Sequence, residues 1–173
     1  MEGTMGVESS AGQGSTFWVE FPRTEAPSLF EDMSQEIAAP NAIATGRLHT
    51  LLYIEDNLSN LRLIERLMER RPQINLVAAA EGLAGLKMAR EHRPDLILLD
   101  VNLPDMGGHE VLVRLRGDPA CASIPVIVIS ADATRGQIDR LKSAGASEYL
   151  TKPLDVRQFL DVLDRTLLTG AAG

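Results

Sequence analysis

The feature that most constrains the fold of this chain is a regular alternation, from about residue 48 onward, of short apolar runs with amphipathic segments. Runs without polar alternation are typical of strands buried on both faces of a sheet. The predicted strands are Leu51–Ile54, Ile74–Ala79, Leu96–Leu99, Val126–Ile129 and Glu148–Leu150, and the predicted helices are Leu58–Arg70, Glu81–Glu91, Gly108–Arg116, Arg135–Ala144 and Val156–Leu168. Such a pattern predicts an α/β fold with a doubly wound, five-stranded parallel sheet, because each crossover must be right-handed and cover a face.

Two segments of different composition precede this region. Residues 1–22 are rich in Gly, Ser and Thr, and Phe17–Phe21 has the alternation of a strand. Thr4–Ser9 is the expected partner of that strand, joined to it by a glycine-containing turn. Residues 23–47 have the composition of a linker, although Ser28–Ile37 has the capping and apolar spacing of a short helix.

Charge and composition argue against several classes of function. The chain has 173 residues, and 24 acidic against 17 basic side chains give a formal charge of −7. An acidic balance without a Lys/Arg cluster argues against nucleic acid as a partner, because phosphate neutralisation supplies much of that affinity. The longest run without a charged residue, Pro119–Ala131, has 13 residues, whereas a membrane-spanning helix needs about 18 or more. We therefore expect no membrane contact.

The first twenty residues and the cysteine content bear on location and redox chemistry. Glu2, Glu8 and Glu20 occur there without any Lys or Arg, which is the wrong pattern for a secretion signal. A cytoplasmic location is therefore the default expectation. Cys121 is the single cysteine, so no intrachain disulfide can form, and a buried, inert thiol is expected.

Polar side chains stand where the predicted strands end. They are Glu55 and Asp56 after the first strand, Asp100 after the third, Ser130 after the fourth and Lys152 after the fifth. Ligands of parallel sheets gather at this edge. Three carboxylates there would repel one another unless a cation joined them, and an all-oxygen ligand set suits Mg²⁺. A carboxylate beside the metal could attack phosphorus, while a hydroxyl and an ammonium could hold the phosphoryl oxygens.

Each of these residues also has a plainer interpretation. Asp56 or Asn57 could cap the first helix of the region. Asp100 could cap a loop, Ser130 could belong to a turn, and Lys152 could be a solvated surface charge. Together these interpretations are weak, because every one of the positions would need the chemically suitable residue at the same edge by chance.

Four motifs of this region carry a resemblance to a known family. They are Tyr53–Asn57, Asp95–Gly108, Pro125–Ala131 and Tyr149–Pro153. On these motifs, residues 48–170 resemble the receiver domain of two-component response regulators. The resemblance implies a flavodoxin-like sheet with strand order 2-1-3-4-5 and five helices.

The resemblance implies a role for each acidic residue at the strand ends. Asp100 would be the phosphoacceptor and would also belong to a magnesium site. Asp56 would bind Mg²⁺ directly, Glu55 would act through water, and Asn102 would contribute its backbone carbonyl. Mg²⁺ is thus the implied cofactor.

The resemblance also implies a switch and its partners. Lys152 would pair with the Asp100 carboxylate and then with the phosphoryl group. Ser130 would move to hydrogen-bond that group, and Tyr149 would swing inward behind it. The phosphoryl donor would be a histidine kinase or a histidine phosphotransfer protein. A downstream protein would bind the face made by the fourth helix, fifth strand and fifth helix of the receiver.

The amino-terminal segment resembles part of a second family. Met1–Ser9, the following glycine turn and the strand ending at Phe21–Pro22 resemble the last hairpin of the ATP-binding domain of sensor histidine kinases. Gly12–Trp18 lacks the Lys of a phosphate-binding loop. The other nucleotide-binding boxes and the phosphorylatable histidine motif are absent from the sequence, so ATP binding is not expected. The resemblance implies the carboxyl-terminal part of a hybrid histidine kinase.

Three alternatives follow from the same residues. A Mg²⁺-dependent phosphatase or phosphotransferase acting on small metabolites would use a similar aspartyl nucleophile. Such an enzyme would usually carry a second Asp two residues later, where this chain has Asn102. A scaffold that binds partners without phosphorylation is the second alternative. Finally, the apolar face of the hairpin, with Phe17, Val19 and Phe21, could pack on the receiver or on a second copy in a homodimer.

Overall fold

A computed structural model describes residues 4–10, 14–20 and 47–170 of the chain. The amino-terminal hairpin and the carboxyl-terminal sheet belong to separate compact units. Over the described residues the strands are β1 Thr4–Ser10, β2 Gly14–Glu20, β3 His49–Ile54, β4 Ile74–Ala79, β5 Leu96–Asp100, β6 Val126–Ser130 and β7 Glu148–Thr151, and the helices are α1 Leu58–Met68, α2 Gly82–His92, α3 Gly108–Gly117, α4 Arg135–Ser143 and α5 Val156–Gly170. No described helix is long and apolar enough to cross a membrane.

The hairpin pairs β1 with β2 in antiparallel register, as its sequence pattern predicts. Val7 lies opposite Phe17, and Gly6 lies opposite Trp18. A Cβ atom on Gly6 would come within 2.3 Å of the Trp18 ring, so only glycine leaves room for that indole. The turn, Phe21 and the helix predicted in the linker lie outside the described residues.

The large sheet has five parallel strands in the order β4-β3-β5-β6-β7. Numbered within the sheet, this order is 2-1-3-4-5, which confirms the predicted topology. Every residue of β5 and of β6 is buried. This burial on both faces is the physical reason for the uninterrupted apolar runs in the sequence.

Close packing of the helices holds the central strands in place. Ile54 is fully buried, and a Cβ atom added to Gly85 of α2 would lie 2.4 Å from its side chain. The helix therefore approaches the sheet directly at a residue without a side chain. Burial of an isoleucine of this kind stabilises the fold by about 1.5–3 kcal/mol. Cys121 is also buried in this core, as predicted.

Helix ends are where the sequence prediction was least accurate. The prediction carried α1 to Arg70, but the helix ends at Met68. Here the chain turns, with the Arg71 amide donating to the Met68 carbonyl, and the buried Arg71 side chain pairs with Asp164 of α5. Pro72 directly follows Arg71, and a proline disfavours helical backbone at the residue before it, so the sequence held a local signal for this end that the apolar periodicity did not show.

Candidate functional site

The carboxyl ends of β3, β5, β6 and β7 meet at one edge of the sheet. Glu55 directly follows β3, and Asp100 is the last residue of β5. Because the strands are parallel and Ile54 is in register with Leu99, these two side chains leave the sheet side by side. One carboxylate oxygen from each of Glu55, Asp56 and Asp100 lies within 4.8 Å of the others. These three residues form the carboxylate cluster.

Lys152 lies between two members of the carboxylate cluster. Its Nζ atom is 2.8 Å from Glu55 Oε2 and 2.9 Å from Asp100 Oδ1. The first contact is a hydrogen bond. The second is an ion pair without hydrogen-bond alignment, so the buried Asp100 Oδ1 has no hydrogen-bond donor among the described residues. The peptide bond between Lys152 and Pro153 is cis.

Glu55 is only 3% exposed, and its buried carboxylate accepts hydrogen bonds from several donors. Besides Lys152, the Tyr53 hydroxyl donates to Oε2 at 2.8 Å, and the Asn57 amide donates to Oε1 at 3.2 Å. Burial alone would raise the pKa of Glu55, but the hydrogen bonds from Lys152, Tyr53 and Asn60 outweigh it. The net pKa therefore lies below the ordinary value, and Glu55 is ionised at neutral pH.

Asp100 has the opposite balance. Burial raises the pKa of its carboxyl and the negative charge of Glu55 raises it further, while Lys152 only partly offsets both. Lys152 itself has a raised pKa, because its contacts with the two carboxylates outweigh the effect of burial. The cluster therefore contains one buried carboxylate that hydrogen bonds stabilise, Glu55, and one that is poorly stabilised, Asp100.

Asp56 is the exposed member of the cluster. The neighbouring Asn57 caps α1, since its side-chain oxygen accepts from the amides of Ser59 and Asn60. The helix cap, one of the plainer interpretations considered for this pair, is thus made by Asn57.

The loop from β5 to α3 places Asn102 beside Asp100. Asn102 forms an antiparallel bridge with Gly107, and the Gly108 amide donates to the Val101 carbonyl at 2.8 Å. Gly108 approaches so closely that an added Cβ atom would lie 2.7 Å from the Asp100 carbonyl oxygen. The loop is therefore closed tightly at its base, which places the backbone of Asn102 at the same edge as the carboxylate cluster.

Asp105 connects this loop to the first turn of α2 through hydrogen bonds. Its two carboxylate oxygens accept from the amides of Gly82 and Leu83, both at 2.8 Å. These bonds lower the pKa of Asp105. The residue at the cap position, Glu81, makes no side-chain cap bond of its own, so the cap of α2 comes from the β5–α3 loop.

Ser130 and Tyr149 both contact Asp132, in the loop before α4. The Asp132 amide donates to Ser130 Oγ at 3.1 Å, and the Tyr149 hydroxyl donates to the Asp132 carbonyl. Ser130 is buried at the end of β6, next to Ile129, which is the register partner of Asp100. Asp132 thus connects the Ser130 hydroxyl to the Tyr149 side chain on β7.

The residues present suit a magnesium ion. All the ligand atoms are oxygens, which Mg²⁺ prefers. Asp100 Oδ1 is buried and lacks a hydrogen-bond donor among the described residues, and the exposed Asp56 leaves the cluster open to solvent. A cation here would supply the charge compensation that Lys152 alone does not provide.

Sequence reasoning gave no role to Tyr53, although its hydroxyl contacts Glu55. The available signal was positional: residues two apart on a strand share a face, so Tyr53 and Glu55 point the same way. However, an aromatic ring within an apolar run is also typical of a hydrophobic core residue. The contacts of Asp105 with α2 were equally invisible, because the two segments are far apart in sequence.

Comparison with known proteins agrees with this geometry. The family pattern of the response regulator receiver domain matches residues 51–164. The polar-differentiation response regulator DivK of Brucella anthropi is 37% identical over 114 residues, covering 66% of this chain and 92% of that protein.

Two solved structures are similar over the same region. The receiver domain of sensor histidine kinase PA1611 from Pseudomonas aeruginosa, which has a magnesium ion in its active-site cleft, is 28% identical with a TM-score of 0.63, covering 69% of this chain and 98% of that one. The phosphorylated cyanobacterial phytochrome response regulator RcpA is 27% identical with a TM-score of 0.60, covering 72% and 95%. Fold, strand-end cluster and sequence pattern agree, and the chain belongs to the response regulator receiver family of two-component phosphorelay signalling.

Proposed function

We propose that Asp100 accepts a phosphoryl group from a phosphohistidine, on a histidine kinase or a histidine phosphotransfer protein. The observation that carries the proposal is the convergence of Glu55, Asp56 and Asp100 within 4.8 Å, with Lys152 against two of them. The protein stabilises the charge of Asp100 less than that of Glu55, since burial raises the pKa of Asp100 whereas hydrogen bonds lower that of Glu55. A carboxylate of raised basicity is the better nucleophile.

Glu55, Asp56, Asp100 and the backbone carbonyl of Asn102 would hold the Mg²⁺ ion. When bound, the ion supplies positive charge against the phosphoryl oxygens. In the transfer, an Asp100 oxygen forms a bond to phosphorus while the bond from phosphorus to the donor nitrogen breaks, and the donor imidazole leaves. Lys152 then exchanges its contact with the carboxylate for one with the phosphoryl group.

Ser130 and Tyr149 would carry the change to the surface. In the proposed switch, Ser130 Oγ turns toward the phosphoryl group to donate to it and leaves the Asp132 amide that now donates to it. Since the Tyr149 hydroxyl holds the carbonyl of the same residue, this turn disturbs the Tyr149 contact. A covalent phosphoryl group thereby biases a two-state element, and α4, β7 and α5 form the face that a downstream protein binds.

Intact-mass measurement after incubation with Mg²⁺ and acetyl phosphate tests the proposal. The wild type should gain one phosphoryl group, and Asp100→Ala should gain none. Asp161→Asn is the matched control, because it removes an exposed carboxylate on α5 and should label like the wild type. No added phosphate on the wild type, or an unchanged yield in Asp100→Ala, would contradict the proposal. Partner binding that is equal with and without phosphodonor would favour the scaffold instead.

We further propose that the receiver, taken as residues 48–170, belongs to a hybrid histidine kinase, with residues 1–22 as the last hairpin of its ATP-binding domain and 23–47 as the linker. The antiparallel pairing of β1 with β2 and the similarity to a sensor-kinase receiver support this proposal. The genomic reading frame around the segment is the test. Codons for a histidine kinase core directly upstream and in frame are expected, and their absence would contradict the hybrid arrangement.

A further inference from the structure

The buried hydroxyl of Tyr53 has a place in the site that packing alone does not require. Tyr53 is 2% exposed, and its hydroxyl donates to Glu55 Oε2 at 2.8 Å. A carboxylate can only accept in this bond, so the direction of the hydrogen bond is settled. Phenylalanine would fill the same space without making the contact.

We propose that Tyr53 is a positioning residue that orients Glu55 for divalent-cation binding. The inference rests on the proposed function of the carboxylate cluster. Tyr53 and Lys152 both donate to Oε2 at 2.8 Å, while the Asn57 amide donates to Oε1 at the longer distance of 3.2 Å. The two shorter hydrogen bonds therefore commit Oε2, and Oε1, with its longer contact, is the oxygen more available to a cation or its water.

The hydrogen bond constrains the orientation of Glu55 because the buried Tyr53 hydroxyl needs it as an acceptor. A buried hydroxyl without an acceptor carries a desolvation penalty. Conformations of Glu55 that turn away from Tyr53 would leave the phenol without this acceptor, and they are therefore disfavoured. Because Tyr53 lies within β3 and Glu55 directly follows the strand, the rigid sheet transmits this constraint to the cluster. Outer partners that orient metal ligands in this way commonly affect metal affinity.

A double-mutant cycle separates positioning from packing. The four proteins are the wild type, Tyr53→Phe, Glu55→Asp and the double variant. Tyr53→Phe keeps the ring and removes the hydroxyl. Glu55→Asp keeps the negative charge and withdraws the carboxylate from the hydroxyl by one methylene. Mg²⁺ dissociation constants are measured by titration calorimetry, and labelling rates with acetyl phosphate are measured across Mg²⁺ concentrations.

Tyr53→Phe should weaken Mg²⁺ binding about tenfold, with a labelling rate at saturating Mg²⁺ within about twofold of the wild type. In the Glu55→Asp background, the same substitution should change the dissociation constant by less than about twofold, because the hydroxyl no longer reaches the carboxylate. Equal losses in both backgrounds would show that Tyr53 acts through packing and would overturn the inference. Unchanged or tighter binding by Tyr53→Phe would overturn it as well.

A spectroscopic readout on the wild-type fold guards against a variant that fails to fold. The chain has two tyrosines, so 3-fluorotyrosine labelling gives two resonances, and Tyr149→Phe identifies them. The Tyr53 resonance should move on addition of Mg²⁺, and an unmoved resonance in a protein that binds Mg²⁺ would overturn the inference. A wild type that binds no Mg²⁺ at all would overturn the cluster's proposed function first, and the positioning role with it.

Discussion

Lys152 Nζ lies 2.9 Å from Asp100 Oδ1, yet this oxygen receives no aligned hydrogen bond from the described part of the chain. The same ammonium donates a hydrogen bond to Glu55. The two carboxyls differ in their balance: hydrogen bonds outweigh burial and lower the pKa of Glu55, whereas burial raises the pKa of Asp100 despite Lys152. The negative charge of Asp100 is therefore poorly compensated, and a cation or a phosphoryl group at Asp100 would change this.

Asp100→Asn should stabilise the metal-free protein by about 1 kcal/mol at neutral pH, because it removes a charge that the fold disfavours. The folded-state pKa of Asp100 is raised above its ordinary 3.8. The penalty in the wild type is therefore present above the raised pKa and disappears as the pH falls below the ordinary one. Thermal unfolding across an acid series measures the effect, and the gain should shrink when Mg²⁺ is added.

The control for this prediction is Asp161→Asn, on the exposed side of α5. Its melting temperature should follow that of the wild type at every pH. If Asp100→Asn were less stable than the wild type at neutral pH without Mg²⁺, the ion pair with Lys152 would outweigh burial.

Glu55→Gln should destabilise the protein by about 1–2 kcal/mol at neutral pH, because hydrogen bonds from Lys152, Tyr53 and the Asn57 amide now stabilise the ionised carboxylate. The folded pKa of Glu55 lies below its ordinary 4.5. Its contribution is therefore present above 4.5 and is lost as the pH falls through the lowered folded pKa. Urea unfolding of both proteins over the same acid series should show the difference closing at low pH. A difference in unfolding free energy that stays constant with pH would mean that the substitution acts through packing and not through the charge of Glu55.

Asp105→Ala should lower the melting temperature by about 4 °C, because it removes the two bonds that cap α2. It should also weaken Mg²⁺ binding, since the loop that carries Asn102 loses its attachment to the helix. Thermal unfolding and titration calorimetry give the two values.

Glu81→Ser in the Asp105→Ala protein separates these two effects. Glu81 has the extended backbone of a cap residue, φ −135° and ψ 149°, and serine there can cap α2 locally. The melting temperature should recover while Mg²⁺ binding stays weak. Recovery of both would mean that Asp105 acts on the helix alone.

Removal of residues 1–47 should abolish any self-association of the chain. Met5, Val7 and Phe17 are 83%, 58% and 79% exposed on the hairpin, and an apolar face of this kind favours association. Light scattering after size exclusion should show a concentration-dependent dimer for the full chain and a monomer for the shortened one. Monomers in both cases would contradict the homodimer, and dimers in both would place the contact on the receiver.

The element types were accessible from the sequence because they depend on local signals, whereas the sheet order was expected only from the resemblance to the receiver family. The apolar runs at Leu96–Leu99 and Val126–Ile129 become fully buried strands, and the polar residues that end them meet at one edge because parallel strands end there together. The pairing of the buried Arg71 with Asp164 was not accessible, since it depends on how α5 packs against the rest of the domain.

The sequence by itself determined which chemical groups stand at the strand ends, since strand periodicity and chain order are properties of neighbouring residues. Only the tertiary structure decided how those groups share their partners. Three contacts show this: Lys152 contacts two carboxylates, Tyr53 donates to Glu55, and Asp105 caps α2. Each of them depends on distances between groups in the folded chain. Such distances follow from the packing of whole elements against one another, which no local pattern in the sequence encodes.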